Sequence, residues 1–370
     1  MFLDFRMAKK LAAQHDTPLN VISESTIRHN YAAMKKYLPR ADVYFAMKVQ
    51  GHKGILNILR NVGSNFDVAS YAEAQSLLSI GVDATKMLFT NPVKTIPDIV
   101  RAYNVGVETF VFDNDSEIQK LARYAPGADV MVRVYTDNDN AIYKLSAKFG
   151  CPPNQANRLL NKAKKLGLNP VGVAFNAGSH TLNSDDYIAA IKLCKKIFKE
   201  AAKDGIKLTE LDIGGGYPPL TDPKTNSIKI LKEVNEALEK HFPSSQGVHI
   251  IAEPGRFLVK NAGTLITRVV GKSKRNGVIW YYLDDGSASS LMDLHFSGWK
   301  WEFLSPRKGK KILSVLAGPT CDVYDIISKE EWLPELEIGD LILVPDTGAY
   351  TNVLASRYNG FEPAKLVYIP

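Results

Sequence analysis

The sequence predicts a two-part α/β protein, a TIM-type (β/α)8 barrel followed by a mainly antiparallel β domain. Three observations predict it. Eight short β-branched or aromatic runs between residues 43 and 255 alternate with stretches of helical apolar spacing, and strands joined through helices pair in parallel. After about residue 265 strand-like runs succeed one another without long helices, separated by Gly, Pro and charge. The 370 residues exceed what one core usually supports, and an apolar share of 45% is enough to fill two.

In chain order the eight runs are VYFAMK (43–48), NFDVAS (65–70), MLFT (87–90), TFVFD (109–113), VMVRV (130–134), VGVAFNAG (171–178), LTELDIGGG (208–216) and VHIIAEPG (248–255). Segments such as YAEAQSLLSIGV and DYIAAIKLCKKIFKEAAK supply the helices between them. Eight strand–helix units make a barrel, assigned to residues 26–265. The short strand PLNVIS precedes the first barrel helix and is assigned, with residues 1–25, to the β domain. Residues 266–370 complete that domain through TLITRVVGKSK, GVIWYYLDDG, KKILSVLAG and DLILVPDTGAY. No internal repeat, low-complexity tract or linker is visible.

Composition excludes several classes. The net charge of +7 rests on lysines spread along helical stretches such as NKAKKLG and IKLCKKIFKEAAKDG, as on solvated helix faces. Aromatic residues are not interleaved with basic ones as a stacking platform requires, so nucleic acid is not expected as a partner. Cys151, Cys194 and Cys321 are odd in number and far apart, which points to a reducing compartment, the cytoplasm by default. The N-terminal MFLDFRMAKKLAAQHD carries charges where a signal needs an apolar core, and no apolar run approaches a membrane span.

Catalytic groups of such barrels project from the C-terminal ends of the strands. Here those ends carry Lys48, Asp67 with Ser70, Arg133, Asn176 with Ser179, Gly214 to Gly216, and Glu253 with Arg256. Lys48 follows the apolar run YFAM. A lysine beside apolar walls has its ammonium disfavoured, which suits imine formation with an aldehyde; standing alone, it reads as a rim lysine reaching for water. IGGGYP lies where barrels bind phosphate through backbone N–H groups, although a plain turn has the same sequence. In AEPGR a carboxylate can face a pyridine nitrogen and an arginine can hold a phosphate; standing alone, the pair reads as a surface ion pair. Taken together, these groups match the needs of pyridoxal phosphate better than those of any other common cofactor.

The chain resembles the ornithine, arginine and diaminopimelate decarboxylases of the alanine-racemase-like pyridoxal-phosphate fold. The resemblance covers almost its whole length, through YFAMKVQ, FDVAS, LSAKFG, LDIGGGYP, AEPGRF, GPTCDVYD and GAYTNVLASRYNGF, in the family's order. It implies that Lys48 carries the cofactor, that Glu253 pairs with the pyridine nitrogen, and that Gly215, Gly216, Arg256, Ser179 and Tyr350 hold the phosphate. It also implies a homodimer with shared sites. Cys321 would act across it as the acid returning a proton to the substrate's Cα, and Asp322 would contact the distal amine. Without the resemblance Cys321 reads as a small core residue and Tyr350 as a half-buried strand aromatic.

Four positions depart from the family. Asn176 stands where a histidine usually stacks on the cofactor ring, and the nearby His180 reads as a polar loop residue. After DDG the stretch SASSLMDLHFSGWKWEF places Ser297 at the position of an aspartate that helps bind the distal amine, with Asp293 as a substitute or as a plain loop carboxylate. Gln50 replaces the common asparagine. GPTCD rather than GPxCES disfavours diaminopimelate. The expected activity is therefore decarboxylation of a basic amino acid, lysine or ornithine foremost. Two alternatives stand beside it: a decarboxylase or racemase of a modified, D-configured or carrier-bound amino acid, and a catalytically silent regulatory homologue.

Overall fold

The computed structural model describes residues 3–145 and 147–370; Ser146 of LSAKFG lies outside them. The chain forms two compact units, one of Arg28–Leu258 and one of Met1–Ile27 with Val259–Pro370.

The first unit is a closed barrel of eight parallel strands. In order they are Ala41–Ala46, Asn65–Val68, Met87–Phe89, Thr109–Phe112, Asp129–Arg133, Asn169–Ala174, Glu210–Asp212 and His249–Ala252, and the eighth pairs with the first. All eight predicted runs contribute a strand. Such strands are covered on both faces, so their sequences are nearly continuous apolar runs. One set of residues, Leu88, Val111, Met131, Val171, Ala174 and Ile251, packs together with Tyr44 against it. Phe45, Phe66, Phe89 and Phe110 are fully buried at positions adjacent in sequence to Tyr44, Asp67, Leu88 and Val111, so the period-two alternation puts them on the opposite face.

Helices after the strands are set by local chemistry. Ser70 caps Tyr71–Leu78 by accepting the Glu73 N–H at 3.3 Å, a cap contributing about 1 kcal/mol, and Glu73 reaches back to the N–H of Ala69, the residue before the cap, at 2.6 Å. Thr95 and Asn114 cap the next two helices through the N–H groups of Asp98 and Glu117. A two-stranded antiparallel ribbon, Ala141–Tyr143 with Ser179–Thr181, stands outside the barrel.

In the second unit Leu19–Ser23 pairs antiparallel with Gly263–Arg275 and parallel with Lys365–Ile369. Strands Val278–Leu283, Lys311–Ala317, Ile326–Pro334 and Leu341–Pro345 complete one seven-stranded sheet, mostly antiparallel. Its core gathers Leu265, Tyr281, Leu316, Ile342 and Val344. A second cluster packs Ala8, Leu11 and Ala12 of helix Phe5–His15 against Leu19, Val21 and Ile266; the sequence reading had not assigned this helix. Among the described residues no helix is long and apolar enough to cross a membrane.

Candidate active site

The polar strand ends of the barrel converge. Lys48 is not the last residue of its strand, as the sequence suggested. The strand stops at Ala46, and Lys48 stands in the 3-10 turn Met47–Val49. Nor is it walled in: Met47 and Val49 are buried beside it, while its own side chain is half exposed. Its Nζ donates to Asp67 Oδ2 at 3.0 Å. Asp67 is 2% exposed, and its other oxygen accepts from the Thr90 hydroxyl. A buried carboxylate needs such partners, and Asp67 has an ammonium and a hydroxyl.

Glu73, which sequence reasoning missed, stands behind this pair. Burial lifts its carboxyl to about 7, with Asp67 adding repulsion and Lys48 opposing. The signal was present: Ser70 followed three residues later by Glu73 is a capping box, and it follows the strand that carries Asp67.

Next round the barrel, where the eighth strand pairs with the first, Asp212 and Glu253 form a second carboxylate pair. Asp212 ends the seventh strand and accepts the Gly214 N–H at 2.8 Å. Burial is the main cause that raises Asp212 to about 7 and Glu253 well above its ordinary value, Glu253 also being repelled by Asp212 and Asp67. Glu253 and Arg256 are both buried, so the surface-ion-pair reading of AEPGR is excluded. Glu253 Oε1 has no hydrogen-bond partner among the described residues. Asp212 also escaped the sequence reading, where LDIGGG drew attention only to its glycines.

The glycine loop follows Asp212 and lies against Glu253 and the segment 175–178. A Cβ at Gly215 would collide with the Glu253 carbonyl, and one at Gly216 with the Gly178 carbonyl. Gly216 also has φ 106°, which side-chain-bearing residues rarely adopt. Tyr187 Oη donates to the Gly215 carbonyl at 2.7 Å, and Thr181 N–H to the Gly216 carbonyl at 3.0 Å. The loop is a bare-backbone cradle of the kind that receives anions. Ser179 opens the ribbon strand Ser179–Thr181 rather than ending the sixth barrel strand. Asn176 spends its Oδ1 on the Gly178 N–H at 2.9 Å. Arg133 ends the fifth strand, 5.6 Å from the Phe149 ring, and Arg256 lies 5.6 Å from that of Tyr143. His180 is corrected from polar loop residue to buried strand residue, with Nε2 2.6 Å from Asp222 Oδ2.

The remaining candidates lie in the other unit. Cys321 and Asp322 are exposed in the loop that follows Lys311–Ala317, so Cys321 is no core residue. Asp325, missed in the sequence, organises that loop: its carboxylate accepts from Ser287 N–H at 2.7 Å, Thr320 N–H at 3.1 Å and Thr320 Oγ1 at 2.8 Å. Asn359 accepts the Cys321 N–H at 3.1 Å. Asp293 is buried at the start of the short helix Asp293–Ser297, not a loop carboxylate, and the Ser297 hydroxyl donates to its carbonyl at 3.0 Å. Tyr350 is half-buried at φ 55° beyond strand Leu341–Pro345, so it is not a strand residue.

Residues 24–260 match the family model described as pyridoxal-dependent decarboxylase, pyridoxal binding domain. The chain is 38% identical over 371 residues to the lysine/ornithine decarboxylase of Selenomonas ruminantium, covering 98% of this chain and 93% of that one. It is 36% identical to antizyme inhibitor 2 of Xenopus laevis, over 90% of this chain and 76% of that protein. Its fold is similar to a crystal structure of the Vibrio vulnificus lysine/ornithine decarboxylase complexed with cadaverine. There the TM-score is 0.92 at 34% identity, with 98% of both chains covered.

Proposed function

The chain belongs to the family of pyridoxal-dependent decarboxylases, carboxy-lyases whose cofactor is pyridoxal phosphate, and from that premise we propose that it decarboxylates a basic amino acid, lysine or ornithine, to a diamine. The carrying observation is the buried Glu253 oxygen without a partner beside a glycine cradle. A buried carboxylate oxygen needs a donor, and a protonated pyridine nitrogen is one; bare glycine N–H groups and Arg256 suit the phosphate. The residues therefore fit the cofactor.

When bound, pyridoxal phosphate supplies an electron sink for the pair left at Cα as carbon dioxide departs. Lys48 would hold the cofactor's aldehyde carbon through Nζ. Asp67 would stabilise the Lys48 ammonium whenever Nζ is free, and Glu73, lifted by burial to about 7, would take or return a proton beside that pair. Asp212 and Glu253 carry a proton between them because burial disfavours two charges. Glu253 Oε1 would face the cofactor's ring nitrogen and hold a proton there, so that the positive ring offsets the charge of the carboxylate pair. Arg133 and Asn176 line the cofactor site, and Gly215, Gly216, Ser179, Arg256 and Tyr350 hold the phosphate.

Cys321 of the second subunit returns a proton from Sγ to Cα, and Asp322, with Asp293 or Ser297, receives the distal amine. This makes the enzyme a homodimer with shared sites. The exposure of Val323 at 73% and Tyr324 at 78%, directly after Cys321 and Asp322, supports it, since an apolar pair there suits burial by a partner. The three free cysteines support a reducing cytoplasm.

The test is carbon dioxide release by the purified protein with added pyridoxal phosphate, across L- and D-ornithine, lysine, arginine and diaminopimelate. Release from L-lysine or L-ornithine, abolished by Lys48→Ala, is expected. Because Asn176 supplies no aromatic face, the second reading is a modified, D-configured or carrier-bound substrate, decarboxylated or racemised. It takes over if all the free L-amino acids are inert while the cofactor's absorbance is present. A silent regulatory homologue would be inert on every substrate, but it would not need the Lys48 and Cys321 that remain here.

A further inference from the structure

We propose that His180 and Asp222 are positioning residues that hold the anion cradle in shape and so set the affinity for the cofactor's phosphate; the inference rests on the cradle reading above. His180 has φ 59°, a left-handed conformation that a residue with a Cβ keeps only where its surroundings over-determine it. Those surroundings are visible. Its Nε2 is 2.6 Å from Asp222 Oδ2 across 42 residues of chain, with the side chains 1% and 6% exposed.

Asp222 organises the loop that follows the glycines. Its Oδ2 also accepts the Thr225 hydroxyl at 2.8 Å and its Oδ1 the Lys224 N–H at 3.1 Å, while its own N–H donates to the Pro219 carbonyl at 3.1 Å. The neighbour of His180, Thr181, holds the Gly216 carbonyl through its N–H at 3.0 Å. Strand Ser179–Thr181 thus grips the cradle loop twice, at Gly216 and at Asp222, while its first residue, Ser179, is itself assigned to the phosphate. A glycine would meet the backbone requirement at position 180 without strain. What the imidazole adds is reach to a carboxylate, and the segments so joined are the two walls of the cradle.

The experiment compares apoprotein affinities for pyridoxal phosphate and for pyridoxal, which lacks the phosphate, by absorbance titration. His180→Gly removes the ring and relieves the backbone; Asp222→Asn keeps the side-chain shape without the charge. Apoprotein melting temperatures are measured alongside. Both variants are expected to bind pyridoxal phosphate ~10-fold more weakly or worse, the scale of one lost hydrogen bond to a charged group, and pyridoxal as wild type does. Lower melting temperatures with unchanged affinity for both ligands would make the pair a brace only and overturn the proposal. Equal weakening for both ligands would also overturn it, since the effect would not lie at the phosphate. A wild-type apoprotein that binds the two ligands equally well would instead sink the cradle reading, and this inference with it.

Discussion

Lys48 Nζ lies 3.0 Å from Asp67 Oδ2, an amine half exposed at the barrel mouth against a carboxylate buried beneath it. The carboxylate is the fixed partner, because Thr90 holds its second oxygen. Asp67→Asn keeps the shape and removes the charge that the proposed mechanism sets against the Lys48 ammonium. The expected loss in kcat is about 10²-fold or more, with a cost in stability of about 1 kcal/mol or less because the amine is screened by water. Steady-state kinetics and urea unfolding of the variant check both; an unchanged kcat would remove Asp67 from the mechanism.

The Asp212–Glu253 pair makes stability depend on pH. Burial lifts Asp212 from 3.8 to about 7 and Glu253 in the same direction. The folded apoprotein therefore holds protons that the unfolded chain has released. Their contribution is complete below the unfolded values, near pH 4, and is lost as pH rises through about 7. Urea midpoints measured between about pH 5 and pH 8 should fall with pH in wild type and fall less in Asp212→Asn. Parallel slopes would show that the two carboxylates do not share a proton.

Asp325 joins the Cys321 loop to the Ser287 segment through hydrogen bonds from both. Removing its carboxylate leaves several buried donors unsatisfied. Asp325→Ala is expected to cost about 3 kcal/mol and to lower kcat with the barrel's cofactor absorbance retained. Full activity in the purified variant would show that the loop holds its shape without the clamp.

The proposed shared sites predict complementation. Lys48→Ala and Cys321→Ala are each expected to be inactive, and mixing them under subunit exchange should restore about a quarter of wild-type activity, since mixed dimers carry one intact site. No recovery in a mixture shown to exchange would mean that Cys321 does not act in trans.

Lys94 is a fully buried lysine whose Nζ meets Glu117 Oε1 at 3.2 Å and the carbonyls of Val111 at 2.6 Å and Asn91 at 2.8 Å. Burial lowers it to about 8 despite Glu117. Lys94→Ala opens a void and removes one of the two ammonium partners of Glu117, which keeps Lys120 and the backbone N–H of residue 94, an expected loss of about 3 kcal/mol or more. Denaturant unfolding measures it, and a loss below about 1 kcal/mol would show that the pair contributes little.

Much of the site was legible because strand ends are legible. A run such as NFDV announces its own boundary, and the residue types at or just beyond such ends, Lys48, Asp67, Glu253 and Arg256, suggest the proposed chemistry. Asp212 and Asp325 were not legible. Each lies next to a more conspicuous neighbour, a glycine triplet or a cysteine, and its role depends on what folds against it. His180 was misread for the same reason: four residues beyond Asn176 it looks like loop, and only its contact with Asp222 makes it structural.

What the sequence determined by itself is local and periodic: eight apolar runs alternating with amphipathic stretches, the capping chemistry between them, and the order of functional residue types along the chain. These follow from nearest-neighbour sterics and from the period of burial. The tertiary structure alone decided the environments. It set Glu73, Asp212 and Glu253 where burial keeps protons on carboxyls, placed Lys48 in a turn beside Asp67, and locked His180 onto Asp222. The physical reason is that desolvation and Coulomb interaction depend on distances through space, and the spacing of residues along the chain does not carry those distances.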